Sequence, residues 1–187
     1  MSNRFTTYIP WETALLIAEQ KKAAKCYTEA GLVYLGIHAG LRYSDLVKVH
    51  YAEAIMGNIL LKEKKTHKPR RIWLGDKQRE WIKDLYELKI KDRYYDIKTP
   101  VLSNRKGEPI SNTYANKLLH MIGQEYDLGV LSTHSLRKTF ARRIYDKDPT
   151  DYTLVLLSEI LNHANVSVTR KYLGIRQEEI KNIYEML

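Results

Sequence analysis

Behind Pro10, apolar residues recur at helical spacing from Trp11 to Ala24, and a proline suits the first position of such a helix. A second run, from about Cys26 to His38, keeps that period and stops at Gly40, a residue type favoured at helix ends. Ser44 then stands where a cap would start a short helix through Val49. Here the period changes. Ala54 to Met56, Ile59 to Leu61 and Arg71 to Leu74 are separated by Gly57-Asn58 and by a polar turn from Thr66 to Pro69, which predicts three short antiparallel strands. Asp76 can cap a helix carrying Trp81, Ile82, Leu85 and Leu88. From Lys91 to Pro109 the chain is charged and turn-rich, and a long surface loop is expected, with one extended piece at Val101 and Leu102. Further on, Ser111 or Asn112, Thr133 and Asp151 are placed to cap helices ending near Glu125, Tyr145 and Leu161. A shorter helical turn covers Val166 to Tyr172. An amphipathic helix follows from Gln177 to Leu187, with Ile180, Ile183, Tyr184 and Leu187 on one stripe. The pattern predicts one mainly helical domain with a small three-stranded antiparallel sheet, an α+β arrangement without internal repeats.

Composition narrows this picture. The 187 residues fit one domain, and 44% apolar with 28% charged residues excludes a disordered tail or a membrane-embedded chain. Thirty-one basic against 22 acidic residues leave a formal charge of +9 and a pI near 9.4. A compact domain with that excess points to a polyanionic partner, most often nucleic acid. The single cysteine, Cys26, rules out an internal disulfide and cysteine-based zinc sites, and reads as a spectator thiol. There is no secretory leader pattern and no apolar run of membrane-spanning length, so a reducing, cytoplasmic setting is expected.

Three stretches carry candidate chemistry. His134 and Arg137 lie three apart at a helix start, hence on one face, where the helix dipole also favours an anion. A guanidinium fork beside a neutral imidazole suits a phosphate. Taken alone, the pair is no more than a capped helix with a surface arginine. The box Gly40-Leu41-Arg42-Tyr43-Ser44-Asp45-Leu46 displays Arg42 at a corner between two helices, and Asp45 is placed to brace it. In the third stretch, Leu161 to Leu173, His163 and Tyr172 stand nine apart across a break near Asn165. With 14 tyrosines in the chain, one more aromatic is unremarkable by itself.

Together, in this order, the three boxes resemble the catalytic domain of the tyrosine recombinase (phage integrase) family. That pattern is an arginine in a Gly-Leu-Arg-x-Ser-Glu/Asp-Leu box, a hairpin lysine, His-x-x-Arg, His or Trp, and then Tyr. The resemblance runs from about residue 8 to 187 and assigns Arg42, His134, Arg137, His163 and Tyr172. For the lysine, Lys65 before Thr66 is the first candidate and Lys64 the second. Lys62, Lys64, Lys68, Arg70 and Lys138 are expected DNA contacts. Asn162 departs from the pattern, which commonly has Gly there, although Asn tolerates left-handed backbone better than most residues.

The resemblance implies site-specific recombination or integration. Tyr172 attacks a DNA phosphodiester to leave a 3′-phosphotyrosyl link and a free 5′-hydroxyl. Arg42 and Arg137 hold the non-bridging oxygens, Lys65 protonates the leaving oxygen, His134 is the candidate base and His163 a further donor. No metal and no nucleotide cofactor are implied, because the phosphotyrosine keeps the bond energy for resealing. The implied partners are double-stranded DNA and further copies of the chain gathered on it, with a free monomer and a C-terminal helix that can dock on a neighbour. The family's N-terminal clamp domain has no counterpart in residues 1–187, and work at the nucleoid is expected. The alternatives are topoisomerase- or resolvase-like resealing, or a non-catalytic DNA-binding accessory or regulator on the same scaffold.

Overall fold

The computed structural model describes residues 7–62 and 69–186, without the side chains of residues 176–179. Ten helices and two strands occur among the described residues. They are α1 (Trp11–Ala23), α2 (Tyr27–Ala39), α3 (Tyr43–Leu46), α4 (Tyr51–Met56), β1 (Asn58–Lys62), β2 (Pro69–Trp73), α5 (Asp76–Asp92), α6 (Asn112–Glu125), α7 (Thr133–Lys147), α8 (Asp151–Ile160), α9 (Val166–Leu173) and α10 (Ile175–Glu185). The mainly helical α+β expectation holds.

The molecule is built around α2. Nine of its 13 residues are buried, as expected of a helix apolar on every side. Close approach to α7 depends on Gly36, where an added Cβ would lie 2.6 Å from Leu136 Cδ1. Gly40 ends the helix at φ +57°, a left-handed geometry that glycine adopts without a Cβ clash. α1, α4, α5 and α6 pack around this axis in the larger apolar core, which ends at Leu136 of α7. A second, smaller core starts at Ala141 of α7 and collects Leu154, Leu157 and Leu161 from the α8 region with Leu173 and Ile175. Arg137 therefore sits where the two cores meet.

β1 and β2 form one antiparallel ladder, with Ile59 opposite Ile72 and Lys62 opposite Pro69. The third expected strand, Ala54 to Met56, is instead the end of α4. His50 and Glu53 cap that helix reciprocally, the His50 amide donating to Glu53 Oε2 at 3.4 Å, and Gly57 at φ +76° stops it. Three residues are too few to separate a period of 2 from one of 3.6, and the capping partners decide the outcome.

The stretch expected as a surface loop also differs. α5 runs on to Asp92, and Val101 and Leu102 are fully buried. The Val101 amide donates to Val49 O at 2.9 Å and that of Ile110 to Leu102 O at 3.0 Å, so this segment threads the larger core. Charged neighbours on both sides hide two core residues from any compositional reading. Several caps fall one or two residues earlier than the patterns suggest: Arg42 for α3, Gly75 for α5, Ser132 for α7 and Thr150 for α8. No helix of the described residues is long and apolar enough to cross a membrane.

Candidate active site

The floor of the site is made by two helix ends. α8 finishes in a Schellman turn: Asn162 takes φ +49°, its amide donates to Glu159 O at 2.9 Å, and the His163 amide donates to Ser158 O at 2.9 Å. Asn162 thus adopts the left-handed backbone that a glycine would take there. The turn leaves the carbonyls of Leu161 and Asn162 facing the end of α2.

Both arginines bind these carbonyls. Arg137, 4% exposed, donates through Nη1 to Gly40 O at 2.9 Å and through Nη2 to Leu161 O at 2.5 Å. Arg42 donates through Nη2 to Leu161 O at 3.4 Å and to Asn162 O at 3.3 Å. Helix C-termini carry partial negative charge, so the ends of α2 and α8 stabilise the buried Arg137 and the half-buried Arg42, whose desolvation would otherwise be costly. Asp45 is buried one turn along and pairs with Lys48 at 3.5 Å.

His134 occupies the first turn of α7. That start is fixed by Ser132, whose amide donates to Ser135 Oγ at 3.1 Å, and by Asn116 of α6, whose Oδ1 accepts from the Thr133 amide at 2.9 Å. Tyr172 reaches the same corner from α9. Its half-buried hydroxyl donates to His134 O at 3.3 Å and accepts from the Arg137 side chain. The His163 ring meets the Tyr172 ring edge-on, with centroids 5.2 Å apart and planes at 74°.

Charge and burial set the protonation states. Loss of water pushes the Tyr172 phenol up to about 12, against the opposing pull of Arg137 and Arg42. His163 is lowered to about 4, first by desolvation and then by Arg137 and Arg42, and His134 is lowered by the same causes in the same order. Both imidazoles are therefore neutral at pH 7 and able to accept a proton or a hydrogen bond.

Thr169 is a residue that motif reading passes over. Fully buried on α9, its Oγ1 lies 2.9 Å from His163 Nδ1 and turns the other ring nitrogen away from the helix. Its only sequence signal is a β-branched hydroxyl on the helix carrying Tyr172, which looks like ordinary packing. Thr169→Val removes one hydrogen bond, worth about 1–1.5 kcal/mol or about tenfold in rate. Single-turnover DNA cleavage should fall by that factor, and Thr169→Ser should restore it. If valine and serine behave alike, Thr169 does not orient the ring.

Next to His163 opens a cleft of about 980 Å3 between β2 and the α8–α9 corner, lined by Arg70, Arg71, Trp73, Asn162 and Asn165. Arg70 is half-buried there, Lys62 is exposed at the end of β1, and Lys138 follows Arg137 on α7, half-buried. Lys64, Lys65 and Lys68 lie outside the described residues. No group of three or more His, Cys, Asp or Glu side chains could hold a metal ion among the described residues.

Arginines, histidines and a tyrosine far apart in sequence thus meet at one corner of a mainly helical domain, and comparisons with known proteins identify the class to which it belongs. The recombinase XerA, a crystal structure, superposes with a TM-score of 0.72 over 98% of this chain and 65% of its own, at 16% identity. XerH bound to a palindromic difH substrate gives 0.70 over 98% and 54%, at 23% identity. In sequence, the probable integrase/recombinase YoeC of Bacillus subtilis is 29% identical over 156 residues, 83% of this chain and 82% of YoeC. Tyrosine recombinase XerC of Thermodesulfovibrio yellowstonii is 25% identical over 165 residues, but this chain spans only 53% of that relative's length. Residues 11–179 match the phage integrase family, and the chain belongs to it, the class of site-specific tyrosine recombinases.

Proposed function

We propose that this protein cuts and rejoins double-stranded DNA at a defined site through a transient 3′-phosphotyrosyl link on Tyr172. One observation carries this reading: Arg42 and Arg137, from separate boxes, bind the same Leu161 carbonyl, and Arg137 also holds the Tyr172 hydroxyl. A phosphate seated on the two guanidiniums would lie beside that oxygen.

In the proposed step the Tyr172 oxygen bonds to phosphorus as the bond to the 5′ oxygen breaks. With a phenol at about 12, fewer than about one molecule in ten thousand carries a phenolate at pH 7.5, so the proton must leave during attack. The neutral His134 ring takes it, and Lys65, or failing that Lys64, delivers a proton to the departing 5′ oxygen. His163 donates to a non-bridging oxygen, and the arginines balance the charge that grows there. Resealing reverses the step with another 5′-hydroxyl, and needs no metal or nucleotide. Lys62, Lys68, Arg70 and Lys138 would contact backbone phosphates, which makes affinity fall steeply with salt.

We read residues 1–187 as one catalytic domain acting on DNA in the cytoplasm, at the nucleoid, as a monomer that assembles on its target. α10 supports docking on a neighbouring copy, since Ile183 is 61% and Tyr184 74% exposed. Removing residues 180–187, which spares the core residue Ile175, should leave one-copy DNA binding intact and abolish the larger complexes on a gel; unchanged complexes would count against docking through this helix.

The test of function is a nicked suicide duplex carrying repeats from the DNA that flanks this protein's own gene, followed by a denaturing gel. Covalent protein–DNA adduct is expected, and strand transfer into a second duplex separates recombination from simple resealing. Binding without adduct would favour the non-catalytic accessory.

A further inference from the structure

A second cleft, of about 970 Å3, opens between the α1–α2 turn, the end of α5 and the 103–108 turn. It shares none of the residues assigned above. At its floor lies Lys89, 4% exposed, whose Nζ donates to Ser103 Oγ at 2.8 Å. The ammonium stands 4.6 Å from the centre of the Tyr95 ring and 5.5 Å from that of Tyr51. The nearby Tyr51 hydroxyl is buried without a hydrogen-bond partner.

An ammonium carries three N–H donors and can give only one to Ser103 Oγ. A lysine without a ligand normally runs its stem along the surface and keeps its head in water. Lys89 does the opposite, and no carboxylate pairs with it among the described residues. Aromatic faces offset part of the burial cost of a cation but leave its remaining donors unsatisfied. Lys25, Arg93, Arg105 and Lys106 add positive charge around the mouth and exceed the acidic residues Glu29, Asp92 and Glu108. Lys25 is taken up by Asp92 at 3.6 Å, and Arg93 donates to Arg105 O at 3.1 Å.

We propose that this cleft binds a phosphate group, gripped at its floor by Lys89 and Ser103, with Arg105 and Lys106 closing over its outer oxygens. A tetrahedral dianion matches both the excess of positive charge and the spread of donors better than a planar carboxylate. The inference stands on Lys89 and its surroundings, independently of the cleavage chemistry at Tyr172.

Titration calorimetry of inorganic phosphate into the full chain tests it, with chloride at equal ionic strength as the control for diffuse attraction to a basic protein. Phosphate also meets the Arg42–Arg137 corner, so the diagnostic event is one that Lys89→Met loses and Arg42→Ala keeps. Lys89→Met should weaken that event about tenfold or more. Its thermal midpoint without phosphate should hold or rise, because an apolar side chain of similar length replaces a buried charge. Ser103→Ala, which leaves the lysine in place, should weaken it less and decides the matter if the methionine variant does not fold. Displacement of phosphate by duplex DNA assigns the site to the DNA backbone; retention assigns it to a free phosphate-bearing molecule. Absence of saturable binding in the unaltered protein, or equal binding in a folded Lys89→Met or in Ser103→Ala, overturns the proposal.

Discussion

Tyr172→Phe should produce no covalent adduct on a suicide duplex while binding that duplex as the unaltered protein does. Phenylalanine keeps the ring that packs edge-on against His163 and removes only the oxygen that touches His134 O and Arg137. With the nucleophile gone, cleavage should fall by about 10^4-fold or more, the scale seen when the attacking group of a covalent enzyme is deleted. Stability should change by no more than about 1 kcal/mol, since the bond to His134 O is long, Arg137 keeps its two carbonyl partners and the residue is half-buried. Thermal melting and a denaturing gel report the two quantities separately. An adduct that survives this substitution would move the nucleophile to another residue and end the proposed mechanism.

The second large effect is expected at Arg137, where stability and catalysis meet in one side chain. Arg137→Ala leaves the Gly40 carbonyl without its buried donor and Leu161 O with only the longer bond from Arg42, a cost of about 1–3 kcal/mol. It also removes a cation from the phosphate position, and cleavage should fall by about 10^2- to 10^3-fold beyond any loss through unfolding. Arg137→Lys separates these effects. Its single ammonium keeps the charge but cannot fork to two helix ends and still face a phosphate, because only guanidinium has that planar geometry. The lysine variant should recover part of the melting temperature and little of the rate. Near-normal cleavage by Arg137→Lys would mean that charge alone suffices at this position.

Acid should act on the same corner. His163 and His134 have their protonation lowered in the folded chain, so the unfolded chain binds more protons below the ordinary histidine range near 6.5. Stability contributed by these rings is complete above about pH 6.5 and is lost below it, for His163 as pH falls toward about 4. A phosphate on the arginines cancels part of the charge that holds the rings neutral, so DNA binding and proton uptake reinforce each other.

Five of the six residues matched to the family's motifs are described, and they meet. The sixth, Lys65, lies outside the described residues. Recognition worked because each box is a local arrangement: a cap and an i, i+3 pair for His134 and Arg137, a corner for Arg42, and a helix break before Tyr172. Even the departure at Asn162 was open to argument from backbone preference alone, and its φ of +49° bears that out. Ala54-Ile55-Met56 is too short to declare a period, so its place in α4 and not in a third strand is settled by the capping residues. Val101 and Leu102, expected as an extended piece of a surface loop, are buried against Gly31 of α2 and paired with Val49 O, partners that lie far away along the chain.

The chain's own periodicity and caps thus determined where most helices begin and end, since those signals act across three or four residues. What the linear order could not express was contact between carbonyl groups and side chains brought from afar. That Gly40 O and Leu161 O share one guanidinium, that Thr169 steadies His163, and that Lys89 is shut away beside Ser103 all follow from how α2, α5, α7 and α8 pack. Backbone carbonyls carry no residue identity, and a buried threonine or lysine is spelled like an exposed one, so only the packed chain decides which of them face the chemistry.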